Sequence, residues 1–285
     1  MRRPLAVTAA VALLCCAPGL AAALEPLADA ALAKVVGRDG MSFNLSGFAV
    51  AGNAELRYTT GDNAASFSVG NLAASRSDNA DAPFADPYRL DILKGSGGRA
   101  DIINLARPLN AAGRELWQVA FDFGVRADGL DINGGSVILK DLAYYGGALQ
   151  WSTPASGEGL AFGSSLHSEL GSLSLQPNGR DAAGEALVLS GIRIGAAADG
   201  GAAPTAPWRI ADVASQPGIF NAVTDAAGVS RLHIGVGWPD AAGAAAGTLQ
   251  VDNISFRSDV TGVTNLGASR IGSLQLQYLD IKFRP

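Results

Sequence analysis

The residues able to do acid–base or nucleophilic work are few. The chain of 285 residues has two histidines, His167 and His233, far apart and without metal-ligand spacing. The stretch SSLHSEL sets Ser165, His167 and Glu169 at alternate positions, so a strand would carry a hydroxyl, an imidazole and a carboxylate on one face. Those three types make up an acyl-transfer triad, which needs a positioned nucleophile and a relay of direct hydrogen bonds. Neighbours two apart on a strand lie about 6 to 7 Å from each other, too far for that relay between short side chains. No G-x-S-x-G elbow occurs. His233 sits on the polar parity of LHIGVGW and reads as a surface residue. The sequence therefore predicts no catalytic residue, no cofactor and a protein that is not an enzyme.

Oxygen ligands in turns are what calcium needs. DGLDINGG offers Asp128, Asp131 and Asn133, and SDNADAPFADP offers Asp78, Asn79, Asp81 and Asp86. Neither has the acid spacing of an EF-hand, and Asp and Asn are ordinary turn residues, so no metal ligand is assigned. Four tryptophans, Trp117, Trp151, Trp208 and Trp238, could serve a carbohydrate or lipid site, with Trp151 and Trp208 as its speculative platform. More often such rings belong to a core or a sheet edge.

The elements that would position these residues are strands. An apolar frame recurs in which two residues of one parity are followed, after an interposed pair, by two of the opposite parity. It reads Phe43-x-Leu45 then Phe48-x-Val50, and returns at Phe67, Val69, Leu72, Ala74 and at Val137, Leu139, Leu142, Tyr144. Further copies are Leu187, Leu189, Ile192, Ile194, then Leu249, Val251, Ile254, Phe256, and Leu274, Leu276, Leu279, Ile281. Side chains alternate faces along a strand, so an inserted residue sends later ones to the other side unless a bulge compensates. Gly, Asn or Asp stands in five of the six interposed pairs, and these residues tolerate a bulge. The frame predicts strands kinked midway, with both halves on one core.

Other segments, VAFDFGV and LHIGVGW, alternate without a break, and Gly/Asn/Asp/Pro-rich turns separate them. No long amphipathic helix follows Gly37, so parallel crossovers lack their helices and an all-β, mostly antiparallel fold is expected. It is expected as a bulged or curled sheet or a β-sandwich, in one domain spanning 41–285. The Ala/Gly/Pro stretch 196–207 reads as a flexible loop inside it.

Met1-Arg2-Arg3, the apolar run Leu5 to Leu14 and the small residues Ala21 to Ala23 read as a signal peptide over 1–23. The run is shorter than the roughly 20 residues that span a bilayer, and no later segment is long and apolar enough for a transmembrane helix. Cys15 and Cys16 lie inside it, and the leucines before Cys15 argue against a lipoprotein site. Removing Arg2 and Arg3 leaves 19 basic against 26 acidic residues, a net charge of −7. That balance opposes binding to nucleic acid or an anionic membrane surface. Without cysteine the processed chain must be held by its apolar packing alone. Over 24–40, Leu27, Ala31, Leu32 and Val35 recur at helical spacing with Gly37 as a stop, predicting a short helix before the first strand.

This LEPLADAALAKVVGRDGMSFNL segment, through Leu27, Asp29, Leu32, Val35, Gly37, Asp39 and Gly40, resembles the opening of exported β-rich proteobacterial proteins. Some of those are assigned to a Fil-type pilus system and many have no assigned activity. Ala31 stands where an acid is common there, and Arg38 where Gln is common. The resemblance implies a Gram-negative location, in the periplasm, the outer membrane or at the cell surface. It also implies a structural, adhesive or assembly role beside other envelope proteins. Two alternatives remain open on the residues: an outer-membrane β-barrel ending in LQLQYLDIKF, and a carbohydrate- or lipid-binding β module.

Overall fold

The computed structural model describes residues 40–43, 45, 47–60, 62–76, 86–95, 100–113, 115–155, 157–182, 184–237 and 244–282. The expected signal peptide, the helix with Leu27, Leu32 and Val35, the turn residues Asp78, Asn79 and Asp81, and Trp238 lie outside them.

Two long strands form the spine, β8 (Leu130–Ser152) and β9 (Leu160–Gln176), paired antiparallel from Ser136↔Gln176 to Ser152↔Ala161. Each exchanges its outer neighbour halfway. One half of β8 pairs with β7 (Trp117–Ala127) and the other with β6 (Ile102–Ala106). On β9 the neighbours are β10 (Ala186–Ala196) for one half, then β11 (Trp208–Ala211) and β12 (Gly218–Thr224) for the other. The exchange occurs where Gly146 and Gly147 hold φ of 89° and 91° and the β8–β9 register shifts. A Cβ on Gly147 would run into the Ser165 carbonyl, so the close approach there requires glycine.

Two half-sheets thus share one hairpin. The first continues from β7 to β4 (Ser66–Arg76), edged by β2 (Ala49–Ala51) and β3 (Glu55–Thr59). Its other end runs from β10 to β14 (Gly247–Ser258) and β15 (Gly262–Leu274). The second half continues from β6 to β5 (Tyr88–Leu93) and β1 (Met41–Phe43). Its far end runs from β12 to β13 (Ser230–Gly237) and β16 (Tyr278–Lys282). All named pairings are antiparallel and the sheet does not close on itself. The only helical turn among the described residues is Asp199–Gly201.

The kinked frame is realised across the middle of the first half-sheet. Leu139, Leu173, Leu189 and Ile254 lie opposite one another in one row, and Leu142, Leu170, Ile192 and Val251 in a second. Both rows pack into the same core, whose buried centre is Leu170, Ile192 and Val251. Between them run two polar rows, Lys140, Ser172, Ser190, Asn253 and Asp141, Gly171, Gly191, Asp252. Positive φ at Asp141 (57°) and Gly191 (62°) turns the backbone so that three-residue spacing keeps one face. On β9 the same step, Leu170 to Leu173, is made through Gly171 and Ser172, a copy of the frame not expected from sequence.

The outer copies differ. On β4, Asn71 (φ 52°) makes the bulge where the register to β7 shifts, but Phe67 and Leu72 remain exposed. The first and last copies are not kinked strands. Phe43 belongs to β1 and Val50 to β2, in different half-sheets, with a turn closed by Phe48 N–H donating to Leu45 O at 2.9 Å. Leu274 ends β15 and Leu279 lies in β16. There the interposed residues change strands rather than faces, because no single neighbour runs alongside both halves.

The 196–207 stretch carries the chain from one half-sheet to the other. It is tied by Ala196 N to Ala206 O (2.8 Å), Ala197 N to Ala246 O (2.8 Å) and Gln250 Nε2 to Ala202 O (2.9 Å).

Candidate binding groove

Strand β13 reads SRLHIGVG, and on the face that carries His233 the next two positions are Gly235 and Gly237. Without side chains there, the middle of the β12–β13–β16 ribbon becomes a trough. A cavity of about 660 Å³ opens over it, walled by Ile219 and Val223 on one side and Tyr278, Asp280 and Lys282 on the other. Volumes of roughly 300 to 1,000 Å³ are those of small-molecule sites.

One end of the trough is a polar chain. His233 stands between Asn221 on β12 and Asp280 on β16, with Nδ1 2.8 Å from Asn221 Oδ1 and Nε2 donating to Asp280 Oδ1 at 3.1 Å. Asp280 also accepts from Lys282 Nζ at 3.1 Å and from the Tyr278 hydroxyl at 3.0 Å. These donors, Lys282 first, hold its carboxyl below the usual aspartate range, and the same contact raises the Tyr278 phenol. Asp225 closes the β12–β13 turn by accepting from Ala227 N–H and Val229 N–H, both at 2.9 Å, and from Arg231 Nε at 2.6 Å. The Val229 N–H and then the Arg231 guanidinium keep it low as well. The trough can present acceptors, an amide, an ammonium and one exposed aromatic ring to a ligand. The Tyr278 hydroxyl of this polar chain is taken up by Asp280.

The sequence-predicted residues lie elsewhere. Ser165 Oγ accepts from Ala148 N–H at 3.0 Å, and the Tyr145 carbonyl accepts from His167 Nδ1 at 3.2 Å. Glu169 faces Arg193 at 3.9 Å. Each is thus engaged separately, and His167 is buried with Nε2 unpartnered. Trp151 sits opposite Phe162 and Ile103, and Trp208 opposite Leu166; neither lines the trough. The Trp208 indole lies over Gly247 and donates to Ala245 O at 2.8 Å. Asn133 Oδ1 accepts from Gly135 N–H, Asp131 faces Arg126, and Asp86 accepts from Leu109 and Ala111 N–H. Among the described residues no three of His, Cys, Asp and Glu converge as a metal set. What sequence reasoning missed is His233: its partner Asp280 is 47 positions away, and the usable signal was the His-x-Gly-x-Gly parity.

A second polar cluster joins the half-sheets. Buried Glu115 is approached by the Tyr88 hydroxyl and the Trp117 indole, with Oε1 and the indole N–H left without a well-formed hydrogen bond. Phe43 stacks on Tyr88 (5.5 Å) and Phe48 meets Trp117 edge-on (5.9 Å). Burial raises the Glu115 carboxyl above its ordinary range, and burial followed by the Glu115 charge raises the Tyr88 phenol.

The sheet ends are bare. Every residue of β15 from Gly262 to Ser273 is exposed, including Val263 and Leu266 at 61% each, and its outer edge has no partner strand among the described residues. At the opposite end of the same half-sheet, all of β3 is exposed, with Leu56 at 77%. Compared with known proteins, the chain matches no family profile, no curated protein and no solved structure.

Proposed function

We propose that this chain is an exported, non-enzymatic structural or assembly protein of the Gram-negative envelope or cell surface, working through the edges of its sheet. The observation that carries the reading is β15, thirteen residues long, exposed on both faces and, among the described residues, paired on one edge only. Soluble proteins ordinarily blunt such an edge with charged side chains, Pro, bulges or a covering loop. Strand β15 contains neither Lys nor Pro, with Arg270 as its one charge and Gly267 as its one positive-φ residue after the turn at Gly262. The N-terminal signal and the resemblance of Leu27 to Gly40 to exported proteobacterial proteins supply the compartment. An open sheet with bare edges does not favour the barrel alternative, which requires closure. The test is fractionation of the native host with native gel analysis of the envelope. The protein is expected in the envelope, released by carbonate, and in a complex larger than the monomer. Retention in the cytoplasm, or a monomer throughout, would overturn the reading.

The trough favours a second reading, a carbohydrate-binding module, since acceptors beside an exposed Tyr278 suit a sugar. Gly237→Val would fill the trough, as a Cβ there meets only Gln216 Nε2 and the Tyr278 ring at 3.9 Å. Binding on a glycan array that survives this substitution, or no binding at all, would remove the reading.

A further inference from the structure

Resting on the assembly reading, we infer that the occupant of the β15 edge is the β2–β3 edge of a second copy of this chain, added head to tail. The directions allow it. From β3 to β15 the first half-sheet makes seven junctions, β3–β4, β4–β7, β7–β8, β8–β9, β9–β10, β10–β14 and β14–β15, all antiparallel. An odd number of reversals leaves β15 running opposite to β3. A copy repeated in the same orientation therefore offers its β3 antiparallel to β15, and the ladder continues without a parallel step.

The two edges also match in extent and charge. Together β2 and β3 line the eleven residues of β4, interrupted at 52–54, while β15 has thirteen. Strand β4 bends at Asn71 and β15 at Gly267, each with positive φ. Glu55 and Arg57 pair with each other at 2.7 Å, and Arg270, the one charge on β15, faces the Ala198 carbonyl at 3.4 Å. No row of like charges opposes the contact. Leu56, Tyr58, Val263 and Leu266 would be covered.

The three residues of β2 and five of β3 give a ladder of about 27 Å. That is far less than a standard specific interface of about 800 Å² per partner requires, so each junction is weak and assembly depends on concentration. The contact is heterologous and does not close. With a twist of roughly 20 to 25° per strand, eight strands turn each copy by about 160 to 200° and generate a helical filament.

The expected processed chain contains no cysteine, which makes disulfide trapping clean. Leu56→Cys and Thr264→Cys are introduced singly and together, oxidised across a range of concentration, and the covalent products are sized on a denaturing gel without reductant. The double variant is expected to give dimers, trimers and higher multiples, with each single variant monomeric. Val263→Pro and Thr264→Pro supply a control. Adjacent edge residues point their N–H groups alternately inward and outward, so one of the two keeps the fold and loses the multiples. Self-cross-linking by Thr264→Cys alone would mean a two-fold pairing of β15 and overturn the inference. A monomer at every concentration that still enters the large native envelope complex would overturn it too, leaving the assembly reading intact with a different partner.

Discussion

The carboxylate of Asp252 occupies the space that a Cβ on Gly191 would need, from the facing position of the neighbouring strand. It is held there by Arg193, whose Nη1 and Nη2 donate to its two oxygens at 2.7 and 2.8 Å. The kink and the acid that covers it are therefore one device, repeated two junctions away where Asp141 packs over Gly171.

Gly191→Ala should strain the φ of 62° and displace Asp252 together. The left-handed conformation costs about 1–2 kcal/mol for a side-chain-bearing residue, and the crowding raises the expected loss to about 2–4 kcal/mol. Gly228→Ala, with φ 78° and open space around it, should lose only about 1 kcal/mol. Urea unfolding midpoints decide between them. Equal losses would mean that Asp252 swings away freely and that the kink is not clamped.

The middle of the first half-sheet was legible because its kink demands an arithmetic that residue types reveal. Leu139 and Leu142, Leu189 and Ile192, Val251 and Ile254 all bridge the bend onto one face. On β9 the gap holds Gly171, but Ser168 stands where the other copies carry their first apolar residue, so Leu170 and Leu173 do not complete the frame. At Phe43/Phe48 and Leu274/Leu279 the same letters mean a change of strand, since pairing partners far away in sequence decide whether the chain continues. The exchange of neighbours at Gly147 and the meeting of His233 with Asp280 depend on that long-range pairing. No local pattern announces it.

Trp208 is predicted to act as packing rather than as a ligand platform. Trp208→Phe should lose the hydrogen bond to Ala245, about 1 kcal/mol, and Trp208→Ala about 2–4 kcal/mol for a partly buried ring. Gly247→Ala should be destabilising as well, since its Cβ would enter the indole. A harmless Gly247→Ala would mean that the ring is loosely held and available for stacking.

Glu115 should oppose stability as it ionises. Its folded-state value is raised, so its favourable protonated form is fully present below the ordinary glutamate range near about 4.3. That contribution is lost as pH rises through the raised value. Glu115→Gln is thus expected to unfold at higher urea than the parent at pH 7 and at nearly the same urea at pH 4. A difference that does not change with pH would show that the carboxylate is stabilised where it lies, by Tyr88 and the Trp117 indole.

Asp280 carries the opposite sign and a local consequence. Its folded value is lowered, so the contribution of its contacts is complete above the ordinary aspartate range near about 4 and disappears as pH falls through the lowered value. Those contacts tie β16, which pairs only with β13 among the described residues, through His233, Lys282 and Tyr278. Asp280→Asn should therefore loosen β16 while leaving the core of Leu170, Ile192 and Val251 intact. Backbone NMR signals of Tyr278–Lys282 are expected to weaken in the variant at pH 7 and in the parent only below about pH 4, with the global unfolding midpoint nearly unchanged. Loss of the whole spectrum in the variant would mean that β16 closes the second half-sheet instead of merely edging it. The trough over Gly235 and Gly237 would then be a structural seam rather than a place for a ligand.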